Sequence, residues 1–136
     1  MGSKIELQVG VKILLKNKDG KYLVVCRSAE AYPEVGAEWC IPGGRINPGY
    51  SLSENLKREV MEETGLKIIG ESKLITAQDI LKRDKHIVRL TYSGFADGKV
   101  RLSEEHTDFK WLSLEEIRKL NPLDRYLKAI LNEVNL

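Results

Sequence analysis

The sequence predicts a single α/β domain over residues 1–136, and three observations carry that expectation. Ile5, Leu7, Val9, Val11, Ile13 and Leu15 recur at every second position, the period of a half-buried strand. Ser51 with Glu54 three residues later makes a capping-box pattern, and Leu52, Leu56 and Val60 place an apolar stripe on one side of the helix that follows. Beyond that helix, further strand-like runs precede a last helical region, so strands flank helices in chain order.

The elements follow one another without a linker, repeat or low-complexity tract. Asn17 to Gly20 (NKDG) offers turn chemistry between the first strand and YLVVCR, which predicts a hairpin. Residues 28–38 read as a loop. WCIP is a short extended segment, because Pro42 biases the residue before it away from helix, and Gly43-Gly44 lets the backbone approach a ligand closely. The helix is predicted from about Leu52 to Thr64, with Gly65 suited to the position just past its end. KLITAQDIL and HIVRLTYSGFA read as strands, Asp97-Gly98 as a turn, and VRL and FKWL as shorter strands. A last helical region follows Ser113 and is interrupted at Asn121-Pro122.

Composition excludes several classes of function. A chain of 136 residues with 42% hydrophobic content suffices for one core. Lys plus Arg total 22 against 20 Asp plus Glu, and a net charge of +2 is too small to argue for a nucleic acid polymer or an anionic membrane surface as partner. No apolar run approaches the ~20 residues of a transmembrane helix, and MGSKIELQ lacks the apolar core of a signal peptide, so the expected location is cytoplasmic. Cys26 and Cys40 lack metal-ligand spacing and read as small packing thiols, with Cys40 near enough to the next motif to touch a substrate.

That motif is GGRINPGYSLSENLKREVMEETGL, Gly43 to Leu66. Glu59, Glu62 and Glu63 lie at i, i+3 and i+4 and span roughly 100° of helix circumference, with neighbouring Cβ atoms ~5 to 6 Å apart. Like charges at that spacing repel, so the cluster makes best sense when a hard, oxygen-seeking cation such as Mg2+ supplies the positive charge. A solvated acidic helix face is the plainer reading of the same residues.

In register, Gly44, Arg58, Glu59, Val60, Glu62, Glu63, Gly65 and Leu66 resemble the signature of the Nudix hydrolase superfamily. One position departs from it, Tyr50 standing where the family has glutamate. The resemblance implies the family's α/β/α sandwich, a mixed sheet between helices. It implies Glu59, Glu62, Glu63 and the carbonyl of Gly43 as ligands of Mg2+ (or Mn2+), and Glu59 and Glu62 as catalytic residues. Arg58, the partner of the missing glutamate, is assigned to positioning, and Tyr50 can replace that partner through its hydroxyl or its ring face.

Similarity to the MutT-like branch extends over most of residues 9–112 and implies further site residues. Arg27 aligns with a phosphate-contacting arginine, and Arg45 follows the double glycine. Glu105, six residues before Trp111, is the candidate fourth carboxylate, as metal ligand or general base. His106 is its rival, in the manner of family members that cleave GDP-sugars at the sugar carbon. His86 reads as structural. Trp39 and Ile41 can wall a base pocket or pack in the core, and Asp124 can contact the base.

The function expected is a divalent-metal-dependent hydrolase in which water attacks phosphorus in a nucleoside diphosphate linked to another group. An NTP or dNTP pyrophosphohydrolase and a nucleotide-sugar or ADP-ribose pyrophosphatase both fit. A nucleotide-binding module with weakened catalysis, permitted by Tyr50, and a GDP-sugar hydrolase are the alternatives. The partner is a small-molecule nucleotide, and the chain is a monomer or homodimer.

Overall fold

A computed structural model describes residues 4–136. In chain order it contains β1 (Glu6–Lys16), β2 (Tyr22–Arg27), β3 (Trp39–Cys40), β4 (Gly43–Arg45), α1 (Leu52–Thr64), β5 (Lys67–Leu81), β6 (Lys85–Asp97), β7 (His106–Leu112), α2 (Leu114–Arg118) and α3 (Arg125–Glu133). The sheet runs β3-β2-β1-β6-β5, with β4 also paired to β1 and β7 to β2. It is mixed, because β1 and β6 run parallel from Glu6↔Lys85 to Lys16↔Phe95 while the other pairings are antiparallel.

Alternation along the central strands divides their side chains between two cores. Val11, Ile13 and Leu15 of β1 and Leu23 and Val25 of β2 pack with Leu56 and Val60 of α1. Leu14 and Val24, pointing the other way, pack with Ile117, Leu127 and Leu131 of α2 and α3. The sheet therefore lies between helices on both faces, the α/β/α sandwich expected. Its alternating pattern extends further than its cover, for Ile5 and Leu7 remain exposed.

Helix α1 has the predicted bounds. Glu54 N–H donates to Ser51 Oγ at 3.0 Å, and Gly65, at φ 71°, closes the last turn by donating to Met61 O. The buried stripe is shorter than expected, since Leu52 lies in the open first turn while Leu56 and Val60 are covered. Residues 100–102 form no strand. That segment instead satisfies carbonyls at the end of α1, Arg101 N–H donating to Thr64 O and Ser103 N–H to Glu63 O.

Gly43 and Gly44, expected as a ligand-approaching loop, form β4 against Lys12 and Val11. A Cβ on Gly43 would lie 2.0 Å from Val11 O, and one on Gly44 2.6 Å from Glu59 Oε2. Gly43, whose φ is 143° and whose neighbours are backbone, is thus required by strand packing before any ligand is considered, whereas the space at Gly44 is set by the carboxylate of Glu59. The two strands after α1 are longer than predicted, and β5 has register shifts between Ile69 and Lys73 and between Leu74 and Thr76. Among the described residues no helix is long and apolar enough to cross a membrane.

Candidate active site

The link from β4 into α1 is organised by Asn55, buried on the first turns of the helix. Its Oδ1 accepts from Asn47 N–H at 2.7 Å, and its Nδ2 donates to Ser51 O at 2.8 Å and Tyr50 O at 3.1 Å. Arg58, one turn on, donates to Asn55 Oδ1 at 3.1 Å, to Arg45 O at 3.3 Å and to Glu59 Oε1 at 2.8 Å. Tyr50, by contrast, is 61% exposed, and Arg58 draws its recorded partners from Asn55, Arg45, Glu59 and Glu62. The replacement expected of Tyr50 thus falls to a buried asparagine and a backbone carbonyl.

The three box glutamates occupy different environments. Glu62 projects outward, its side chain 63% exposed and 3.9 Å from Arg58 Nε. Glu59 lies against Gly44, and burial pushes its carboxyl pKa up although Arg58 opposes the shift. Glu63 is buried, with Oε2 accepting from Gly43 N–H at 2.9 Å and Oε1 3.6 Å from His106 Nε2. Burial pushes its carboxyl up to about 8, and the nearby carboxylates of Glu59 and Glu105 add to the shift. Lys12 and the Gly43 N–H pull the other way.

Lys12 donates to Ile41 O at 3.2 Å and to Gly43 O at 3.4 Å, placing an ammonium on the carbonyl expected to ligate metal. Glu105, exposed, accepts from the Tyr32 hydroxyl at 3.2 Å, and its own carbonyl accepts from Ser28 N–H. His106 is buried rather than superficial, and burial, with Lys12 and Arg27 nearby, lowers its pKa to about 4, so the ring is neutral. A register shift between Cys26 and Arg27 on β2 sets His106 opposite Arg27. Ligand atoms of Glu63, Glu105 and His106 all lie within 4.8 Å of one another.

Across the cleft stands a second buried charge cluster. Arg27 donates to Glu38 Oε1 at 2.7 Å and lies 3.6 Å from Asp124 Oδ1, while Arg89 donates to Asp124 Oδ2 at 2.8 Å. Asp124 also caps α3, accepting from Leu127 N–H at 2.9 Å. Both of its oxygens are engaged within the protein, so it braces the wall where a base contact was expected. Arg45 pairs with Gln8 at the surface.

Lys12, Arg27, Gly43, Gly44, Arg45, Glu59, Glu105 and Asp124 all line one cleft of about 630 Å3. Ile41 does not, and it packs in the α2/α3 core with Leu14 and Val24. The reason is strand parity: Cys40 enters the α1-side core, so Ile41 must face the other. Trp39 packs against that same second core with Lys110 Nζ over its ring. Cys26 and Cys40 are buried free thiols, and His86 pairs with Asp79 at 2.8 Å.

Sequence reasoning missed Lys12, Asn55, Glu38 and Arg89. Lys12 looked like an ordinary polar alternate in β1, whereas Asn55 carried a usable signal, a polar residue one position before Leu56 in the buried stripe. The donor set suits a hard divalent cation: carboxylate and carbonyl oxygens, one of the acids held protonated for want of positive charge.

Comparison with known proteins agrees with this architecture. Residues 6–132 match the NUDIX domain. Over 115 residues the chain is 28% identical to nucleoside triphosphatase NudI of Escherichia coli (strain K12), spanning 76% of this chain and 80% of NudI. The crystal structure of MutT protein from Methanosarcina mazei Go1 superposes with TM-score 0.83 at 29% identity, covering 94% of this chain and 92% of that one. A MutT NUDIX hydrolase from Burkholderia pseudomallei shares the fold, with TM-score 0.79 at 23% identity over 96% of this chain and 99% of that one. The chain belongs to the Nudix family, as a MutT-like pyrophosphohydrolase.

Proposed function

We propose that the chain, a single domain over residues 1–136, hydrolyses a nucleoside triphosphate or a related nucleoside diphosphate derivative using Mg2+ or Mn2+, with water attacking phosphorus. The observation that carries this reading is the composition of one cleft: Glu59 and Glu105 share it with Lys12, Arg27 and Arg45. Carboxylates that hold cations and cations that hold phosphates are what a loose, charge-rich transition state requires. The nucleoside triphosphatase NudI, 28% identical, favours the triphosphate among the substrates considered.

Glu59, Glu62, Glu63 and the Gly43 carbonyl would hold the metal, which would supply positive charge to the phosphates and Lewis acidity at phosphorus. Arg58 fixes the carboxylate of Glu59 through a 2.8 Å bond. Lys12 and Arg45 face the phosphates, and Arg27 adds positive potential from within its pairs with Glu38 and Asp124. Glu105 takes the proton of the attacking water. It is exposed in the cleft, whereas His106, with its pKa lowered to about 4, is a weak base near neutral pH. The working site is cytoplasmic, and the chain acts as a monomer or homodimer on a small nucleotide.

The test is phosphate release from dNTPs, ADP-ribose, GDP-mannose and diadenosine polyphosphates, with Mg2+ and with EDTA. Turnover is expected with Mg2+ on at least one of them and none with EDTA. Glu62→Gln is expected to lose ~10² to 10⁴ in rate with the fold intact. Metal-independent turnover, or a fully active Glu62→Gln, overturns the reading. In 18O-labelled water the label is expected on a phosphate product, and label on a sugar hydroxyl identifies attack at carbon instead.

A further inference from the structure

The Glu63, Glu105 and His106 cluster differs chemically from the box face in offering nitrogen. His106 is 6% exposed and points into two carboxylates. Its Nε2 stands 3.6 Å from Glu63 Oε1, beyond hydrogen-bond length, and its Nδ1 has no partner among the described residues. A buried imidazole is ordinarily hydrogen-bonded, so one left without such a bond, aimed at two acids, needs a ligand to explain it. Donor atoms within 4.8 Å of one another need only small side-chain rotations to share one ion at ~2.0 to 2.2 Å.

We propose that Glu63, Glu105 and His106 form a mixed oxygen and nitrogen site that favours a later first-row transition ion, such as Co2+ or Zn2+, over Mg2+. The inference rests on the reading that this cleft binds a divalent cation; to Glu63 it adds His106, and Glu105 with one oxygen on the ion while the other takes the proton, together with the preference the imidazole imposes. Mg2+ takes oxygen ligands almost exclusively, whereas imidazole suits the later divalent ions. The preference arises from a residue outside the box helix, on β7. Glu62, 63% exposed, lies outside the cluster.

Electron spin-echo modulation of Mn2+ bound to the tag-free chain tests this directly. The chain has two histidines, so the source of any nitrogen coupling can be assigned. Imidazole 14N coupling is expected in the wild type, retained in His86→Gln and absent from His106→Gln. The affinity ratio of Co2+ to Mg2+ is expected to fall about tenfold in His106→Gln. Should that variant fail to fold, the wild-type and His86→Gln spectra still decide. Mn2+ binding without 14N coupling, or coupling that survives His106→Gln, overturns the inference and leaves metal-dependent hydrolysis standing. No binding of either Mn2+ or Mg2+ overturns both.

Discussion

Glu63 on α1 and Asp124 at the start of α3 are buried to the same degree, 3% exposed each, yet their carboxyl pKa values move in opposite directions. Asp124 is held below the usual carboxylate range because Arg89, the Leu127 N–H and Arg27 outweigh the cost of its burial. Glu63 has one backbone N–H and the more distant Lys12, and burial wins, pushing it up to about 8. Comparable burial with unequal compensation, and with Glu59 and Glu105 repelling charge on Glu63, separates the two acids. One is finished within the fold and the other awaits positive charge from outside. That difference separates a carboxylate satisfied by the fold from one still short of positive charge.

Exchanging each acid for its amide should have opposite consequences. Glu63→Gln is expected to lower metal-dependent turnover by ~10² to 10⁴, up to ~5.5 kcal/mol of barrier, while the metal-free protein keeps or gains stability. Steady-state kinetics with Mg2+ beside urea denaturation in EDTA reads both, and a variant destabilised without metal would erase the contrast. Asp124→Asn should do the reverse at the level of the fold. It leaves half-buried Arg89 without its countercharge and Arg27 with Glu38 alone, a loss of ~3 kcal/mol measurable by denaturation. Unchanged stability there would show that the arginines find other partners.

A third exchange probes the cleft mouth. Glu105→Gln should lower kcat by ~10², the range usual for a lost general base, with KM little changed. A rise in KM alone would mean that Glu105 binds substrate rather than takes the proton.

The sequence revealed the parts of the molecule that rest on local patterning and left hidden those that rest on partners. Helix α1 was legible to its ends because Ser51 and Gly65 punctuate it, and the α1-side core followed from alternation in β1, whereas Leu14 and Val24, which enter the other core, carried no such signal. Ile41 stayed open between a pocket wall and the core because its parity relative to Cys40 depends on which face of the sheet each core occupies. Glu105 could be counted from Trp111 by resemblance. The burial of His106 could not, since it depends on the register shift between β2 and β7. Nothing local in Asp124, Arg27 or Arg89 tells that they neutralise one another across long stretches of chain.

Acidity supplies a further way to sharpen the comparison. In the metal-free protein Glu63 keeps a proton between its unfolded value near 4.5 and about 8, where the unfolded chain has lost it. Stability due to this group is therefore full below pH 4.5 and is lost as pH rises toward 8, by up to ~1.4 kcal/mol per pH unit. Asp124 runs the other way: its depressed pKa contributes stability that is present above about 3.8 and lost as pH falls. His106, whose pKa is lowered to about 4, works against the Glu63 trend below its unfolded value near 6.5. Urea midpoints in EDTA should therefore decline with pH only from 6.5 to 8 in the wild type and flatten there in Glu63→Gln. A flat wild-type profile would mean that Glu63 is compensated after all.

The smallest effect is expected where the family pattern is broken. Arg58 lacks the glutamate normally present at position 50, but it is already held by Asn55, Arg45 and Glu59. Tyr50→Glu adds a carboxylate at an exposed position, where an ion pair is worth ~0.2 to 1 kcal/mol. If all of that reached the transition state the gain would be a few-fold in kcat. Metal affinity should stay unchanged, because Glu59 and Glu63 keep their own contacts to Arg58 and Gly43. Steady-state kinetics and Mn2+ titration of the variant check both halves. A gain above tenfold would show that Arg58 is poorly placed without its partner, and a raised KM would show that Tyr50 touches the substrate. A null result would support the view that Asn55, buried beneath the same loop, has taken over the work of the missing acid.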